Sequence, residues 1–87
     1  MNAAEIQALA DVRGYALAGR IEVLDHARRR MRERGVRFED LRQALITASI
    51  CAPADAGNWK VTGLDRDGDE VTAVVALEDG DVVVTVF

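Results

Sequence analysis

The stretch that decides the fold is EVTAVVALEDGDVVVTVF, residues 70–87. Two runs rich in Val and Thr flank Asp79-Gly80, a pair suited to the two-residue hairpin turn in which both central residues need positive φ. A loop of that length sets the register. It pairs Glu78 with Asp81, Leu77 with Val82, Ala76 with Val83, Val75 with Val84, Val74 with Thr85, Ala73 with Val86 and Thr72 with Phe87. One face is then wholly apolar and the other mixed, the pattern of a sheet covered by helices on one side only. Upstream, Asn58–Gly63 reads as a further strand, so residues 58–87 form a three-stranded antiparallel meander.

The first half of the chain has helical periodicity. Asn2 and Glu5 have capping-box spacing, and Ile6, Leu9 and Ala10 follow at helical intervals. A first helix is expected from about Ala3 to Arg13 or on to Ala18, within residues 1–19, with Gly14 and Gly19 as candidate stops. Ile21-Glu22-Val23 reads as a short strand or an extended lead-in. Residues 20–50 then hold a basic helix, His26 to Arg34, with Asp25 as its N-cap and Gly35 just past its end. Another helix, Phe38 to Ala48, puts Phe38, Leu41 and Leu45 on one face. Helices first and strands afterwards give an α+β fold: about three N-terminal helices on one face of a small antiparallel meander, in a single domain spanning 1–87.

Composition narrows the function classes. The chain has 87 residues, 49% of them hydrophobic and 30% charged, enough for a packed core. No apolar run approaches the ~20 residues of a membrane span. Cys51 is the only cysteine and has no partner for a disulfide, which favours a reducing, cytoplasmic setting. Net charge is −4 but unevenly placed. Residues 1–50 hold nine arginines against seven acids, whereas residues 51–87 hold Lys60 and Arg66 against eight. From His26 to Arg37 there are six arginines and one acid, Glu33. Charges farther away than about 8–10 Å are screened at physiological salt, so a focused anion site is compatible with an acidic protein.

That basic segment carries the chemistry. At about 100° per residue, His26, Arg30 and Arg34 form one stripe, beside Ala27 and Met31 on the buried seam. Guanidinium forks suit phosphate, and histidine is the side chain that exchanges protons near neutral pH. The alternative is structural: Arg30 and Arg34 pair with Asp40 or Glu39, and His26 caps the helix start. Lys60 and Thr62 face outward if Trp59 packs inward, and Lys60 can then meet a phosphate backbone. Arg29, on the solvent side of the helix, is a further candidate contact.

Other motifs fail on spacing. Asp65-Arg66-Asp67-Gly68-Asp69 begins like a calcium loop, but its sixth and twelfth positions are Glu70 and Ala76, so it reads as a hairpin loop. Cys51 lacks a second ligand for zinc, and no other metal or cofactor site is expected. It reads as a small buried hydrophobe. There is no nucleotide-binding glycine loop and no hydrolase nucleophile elbow.

The run His-Ala-x-x-Arg-Met-x-x-Arg-Gly-Val at 26–36, the following helix, the Trp-led strand and the closing Thr-Val-Phe at 85–87 resemble a bacterial family of unknown function, number 4258. The resemblance covers Ile21 to Phe87. It implies kinship with RelE- and MqsR-like toxins of the barnase/EndoU/colicin/RelE superfold. By that resemblance the chain would be a metal-independent endoribonuclease without cofactors, the toxin of a toxin–antitoxin pair. RNA, including ribosome-associated mRNA, would be its substrate and a small antitoxin its protein partner. His26 would transfer protons, Arg30 and Arg34 would stabilise phosphate, and Thr85 would help position the strand. The chain departs from the pattern at Phe87, where relatives often carry Tyr, and at Leu24, where many carry Ser or Thr. A non-catalytic module binding protein, nucleic acid or a second copy through a sheet edge or the basic helix is the rival expectation.

Overall fold

A computed structural model describes residues 1–87. In chain order its elements are α1 (Ala3–Leu17), β1 (Ile21–Val23), α2 (Asp25–Glu33), α3 (Phe38–Ile46), β2 (Ile50–Pro53), a single tight turn at Asp55–Gly57, β3 (Trp59–Leu64), β4 (Glu70–Glu78) and β5 (Asp81–Val86). The α+β reading holds, with three helices against the sheet. The sheet itself is larger than expected: five strands in the order β1-β5-β4-β3-β2. Ile21–Val23 pairs in parallel with β5 and makes the sheet mixed. Ile50–Pro53 adds an antiparallel edge strand beside β3. Pro53 is tolerated there because an edge strand leaves one side of its backbone unpaired.

Each helix starts and stops for local reasons. Asn2 and Glu5 close the expected capping box on α1, with both hydrogen bonds at 2.8 Å. α1 runs through Gly14 and ends near Gly19, whose φ of +79° no helix residue adopts. Asp25 is the first residue of α2 and not its N-cap. Leu24 holds the cap position without a side-chain bond, and its backbone N–H donates to Val84 O at 3.1 Å, tying the helix start to β5. Gly35, at φ +70°, terminates α2 as expected. Two arginines tie α1 to α3 by bonding backbone carbonyls, one at the end of α1 and one just past the end of α3. Arg42 donates to Leu17 O at 3.1 Å, and Arg13 donates to Ala48 O at 2.6 Å.

The core lies between the helices and one sheet face. Val12 and Ala16 of α1, Ala27 and Met31 of α2, and Leu41 and Leu45 of α3 close over Val61, Ala73, Val75, Val82 and Val84. Trp59 is half-buried against this cluster, so Lys60 and Thr62 do face the other way. Gly63 permits the closest approach: a Cβ there would lie 1.8 Å from Ala44 O on α3.

The hairpin turn has the expected backbone, with Asp79 at φ +50° and Gly80 at +79°. Its register matches expectation from Glu78↔Asp81 through Val75↔Val84. Beyond that point a β-bulge intervenes, and Val74 pairs with Val86 instead of Thr85. The expected pairs Ala73–Val86 and Thr72–Phe87 are therefore absent. The extra residue reverses the alternation, because a one-residue slip sends following side chains to the opposite face. Val86 is 52% exposed and Phe87 packs against the core. Thr85 anchors the bulge by donating its hydroxyl to Val74 O at 3.1 Å. No helix is long and apolar enough to cross a membrane.

Candidate nucleic-acid interface

α2 lies over the sheet with Ala27 and Met31 fully or nearly fully buried, and this places every other long side chain of the helix on its exposed arc. His26, Arg28, Arg29, Arg30, Arg32 and Arg34 are all exposed. At about 100° per residue, Arg30 and Arg34 flank the buried seam on one side while Arg28 and Arg32 flank it on the other. Arg29 occupies the outermost arc between them.

The arginines divide into two groups. Arg13 and Arg42 bond backbone carbonyls, Arg20 pairs with Asp81 at 2.6 Å, and Arg66 pairs with Asp40 at 2.9 Å. Those are the only two ion pairs in the molecule. The structural alternative for the stripe needed Asp40 or Glu39 as partners for Arg30 and Arg34. Asp40 instead serves Arg66, whose hydrogen bond holds its carboxyl below the usual range. Arg28, Arg29, Arg30, Arg32, Arg34 and Arg37 have neither a carboxylate nor a hydrogen-bond acceptor. Arg34 makes one interaction, a stack of its guanidinium over the Phe87 ring with 5.8 Å to the centroid. The β5 bulge, by turning Phe87 inward, creates that contact.

Two clefts border α2. One, of about 350 Å³, is lined by Arg34, Val36, Glu70, Val71, Thr72 and Phe87. The other, of about 420 Å³, has an apolar floor of Val23, Met31, Val36 and Phe38. Its polar rim is Arg28, Arg32, Arg37 and Glu39. The stripe is thus only partly convergent. Arg34 stands in a cleft, while His26 and Arg30 project from the open helix surface and line neither cavity. Arg28 and Arg32, on the opposite flank of the seam from that stripe, rim the larger cleft. α3, through Phe38 and Glu39, closes the other side of that cleft.

The remaining candidates lie apart. Lys60 is exposed on the helix-free face of the sheet, so the sheet separates it from α2. Thr85 has its hydroxyl engaged by Val74 O, and Thr62 bonds Thr72 at 2.8 Å. Cys51 is buried, and desolvation pushes its thiol above the usual range, which removes it as a nucleophile near neutral pH. In the loop at 65–69, Asp65 Oδ1 accepts the backbone N–H groups of Asp67 and Asp69, both at 2.9 Å, in the manner of a self-capped hairpin loop.

No curated protein matches the chain. A family model does match, over residues 23–87, from the strand that pairs with β5 to Phe87. That span holds α2, both clefts and the four remaining strands of the sheet. The chain therefore belongs to the family described as domain of unknown function (DUF4258).

Proposed function

We propose that this protein binds single-stranded RNA along α2 and cleaves it as a toxin-like, metal-independent endoribonuclease. The observation that carries the reading is the division of the arginines. Four are consumed by structural bonds, and the six between Arg28 and Arg37 are held unpartnered around one short helix. Such an array is unfavourable unless a polyanion neutralises it, and a phosphodiester chain supplies regularly spaced charge.

His26 is the only imidazole in the chain and lies one helical turn from Arg30. In the reaction we assign, the ribose 2′-oxygen attacks the adjacent phosphorus and His26 takes the hydroxyl proton. The bond to the 5′-oxygen breaks, and that oxygen leaves with a proton from solvent. The products are a 2′,3′-cyclic phosphate and a 5′-hydroxyl end. Arg30 and Arg34 offset the extra negative charge of the pentacoordinate phosphorus. On this reading mRNA, including mRNA on the ribosome, is the substrate, and a small antitoxin is the protein partner.

The test is controlled expression in a bacterial host with RNA 5′ ends mapped genome-wide, comparing wild type with His26→Ala and Arg34→Ala. Growth arrest and new 5′-hydroxyl ends, lost in both variants, are the expected result. Unchanged ends in cells that accumulate folded wild-type protein would refute cleavage.

The helix-free sheet face supports a second reading, as an interaction module. It exposes Ile50, Leu64 and Val86 at 55, 45 and 52%. Self-association through that face predicts concentration-dependent sedimentation that Val86→Lys abolishes.

A further inference from the structure

We infer that the larger cleft, between α2 and the start of α3, is a base-binding subsite for single-stranded RNA, with Phe38 as the stacking platform. Arg28, Arg32 and Arg37 take the flanking phosphates. The inference rests on the RNA-binding reading above and extends it to a site away from His26.

Three observations converge. Phe38 belongs by helical spacing to the face of Leu41 and Leu45, yet those two are buried while Phe38 stays 41% exposed at the cleft. An aromatic ring left open beside three unpaired guanidiniums offers a π face and charge together, the combination that holds an unpaired nucleotide. Second, the cleft volume of about 420 Å³ lies within the range of small-ligand sites. Third, the arrangement repeats. The neighbouring cleft also sets one phenylalanine, Phe87, beside an arginine, Arg34, and Val36 lines both. A strand seated at Phe87 and Arg34 reaches Phe38 by rounding the Gly35–Val36 corner.

This pattern favours RNA over an acidic peptide. A peptide helix would satisfy the charges on one flank of α2 only, whereas the free arginines occupy both flanks and the arc between. A flexible strand with a charge at every nucleotide meets all of them. The cleft offers the base no neutral hydrogen-bonding side chain, since its polar groups are three arginines and Glu39. Stacking with little base preference is the consequence.

The probe is a fluorescent 2′-O-methyl RNA of about ten nucleotides, which lacks the attacking hydroxyl and stays intact. Binding is measured by anisotropy for wild type, Phe38→Ala, Phe38→Trp, Arg28→Ala/Arg32→Ala and Arg34→Ala, each checked for folding by circular dichroism. We expect Phe38→Ala to weaken binding about 5- to 150-fold, the span of base–aromatic stacking, and Phe38→Trp to retain it. An abasic nucleotide at one position of the strand should cost wild type a similar factor and cost Phe38→Ala little further. Wild-type affinity in Phe38→Ala, with Arg34→Ala impaired, would overturn the subsite and leave RNA binding by α2 standing. If wild type binds no strand, the RNA reading itself fails. An acidic peptide captured at this cleft in place of RNA would likewise overturn the assignment.

Discussion

Gly63→Ala tests the contact that fixes the helices on the sheet. An added Cβ would stand 1.8 Å from Ala44 O, 2.7 Å from Ala44 C and 3.0 Å from Ala48 Cα. Ordinary contact begins near 3.4 Å, so the deficit at the oxygen is 3.4 minus 1.8, about 1.6 Å. The obstruction is helix backbone, which cannot swing aside as a side chain does. Gly63 is not among the residues with positive φ, so backbone strain contributes nothing and the effect is purely steric. Retreat of α3 by that distance withdraws Leu41 and Leu45, both 2% exposed or less, from a tightly packed layer. Overpacking costs about 1–3 kcal/mol, and a backbone clash belongs at the upper end, about 3 kcal/mol. For a domain this size each kcal/mol moves the midpoint by roughly 4–8 °C, so Tm should fall by about 12–24 °C. Thermal unfolding followed by far-UV circular dichroism reads it directly. A variant melting within about 3 °C of wild type would refute the close approach of α3 to β3, and with it the placement of Phe38 at the cleft.

The other expectations concern separate parts of the molecule. Gly14→Ala, in a helix with open space around the site, should raise stability by about 0.4–1 kcal/mol in the same melt. The Asp40–Arg66 pair should make its contribution above the unfolded carboxyl pKa, ~3.9, and lose it as pH falls through the depressed folded value. The Tm difference between wild type and Asp40→Asn should therefore vanish in strong acid, and a difference that persists there would contradict the pairing. Thr85→Val removes the hydroxyl that bonds Val74 O and should cost about 0.5–1.5 kcal/mol in denaturant titration, with amide exchange increasing around Val74. If Arg30 contacts one phosphate, Arg30→Ala should reduce the log–log salt slope of RNA binding by about 0.7, whereas an unchanged slope would place Arg30 outside the interface.

What could be read from the sequence depended on the range of the interaction. The Asp79-Gly80 turn and four adjoining residue pairs were legible because a two-residue loop leaves one register. The bulge at Thr85 was not, since no glycine marks it and its anchor is a carbonyl eleven residues away. β1 reads as a short strand or an extended lead-in, because three residues carry little pattern and their parallel partner lies some sixty positions downstream. β2 was hidden by Pro53 and its small neighbours, which read as a connector until β3 is present to pair with them. At the site, helical angles alone separated the buried Ala27 and Met31 from the stripe of His26, Arg30 and Arg34. Only α3, in place, could show that Arg28 and Arg32 edge a cleft with Phe38, and that Asp40 is committed to Arg66.

The charge on α2 has an energetic consequence that links fold to function. Arg28 and Arg32, and Arg30 and Arg34, are like-charge pairs one turn apart, each worth roughly 0.2–0.5 kcal/mol of destabilisation in a helix. No side chain caps the start of α2, so Asp25 in the first turn and arginines in the last turn supply what helix-dipole support it has. A nine-residue helix with that load is not stable alone, and its form depends on burying Ala27 and Met31 and on the Leu24 N–H bond to Val84 O. Self-repulsion in α2 is therefore sustained by the core beneath it. An anion that neutralises the arginines should relieve the repulsion and tighten the helix, so amide exchange in α2 should slow on binding the uncleavable strand, more than in α1. Equal slowing in both helices would mean that ligand binding stabilises the whole domain and that α2 carries no locally stored repulsion.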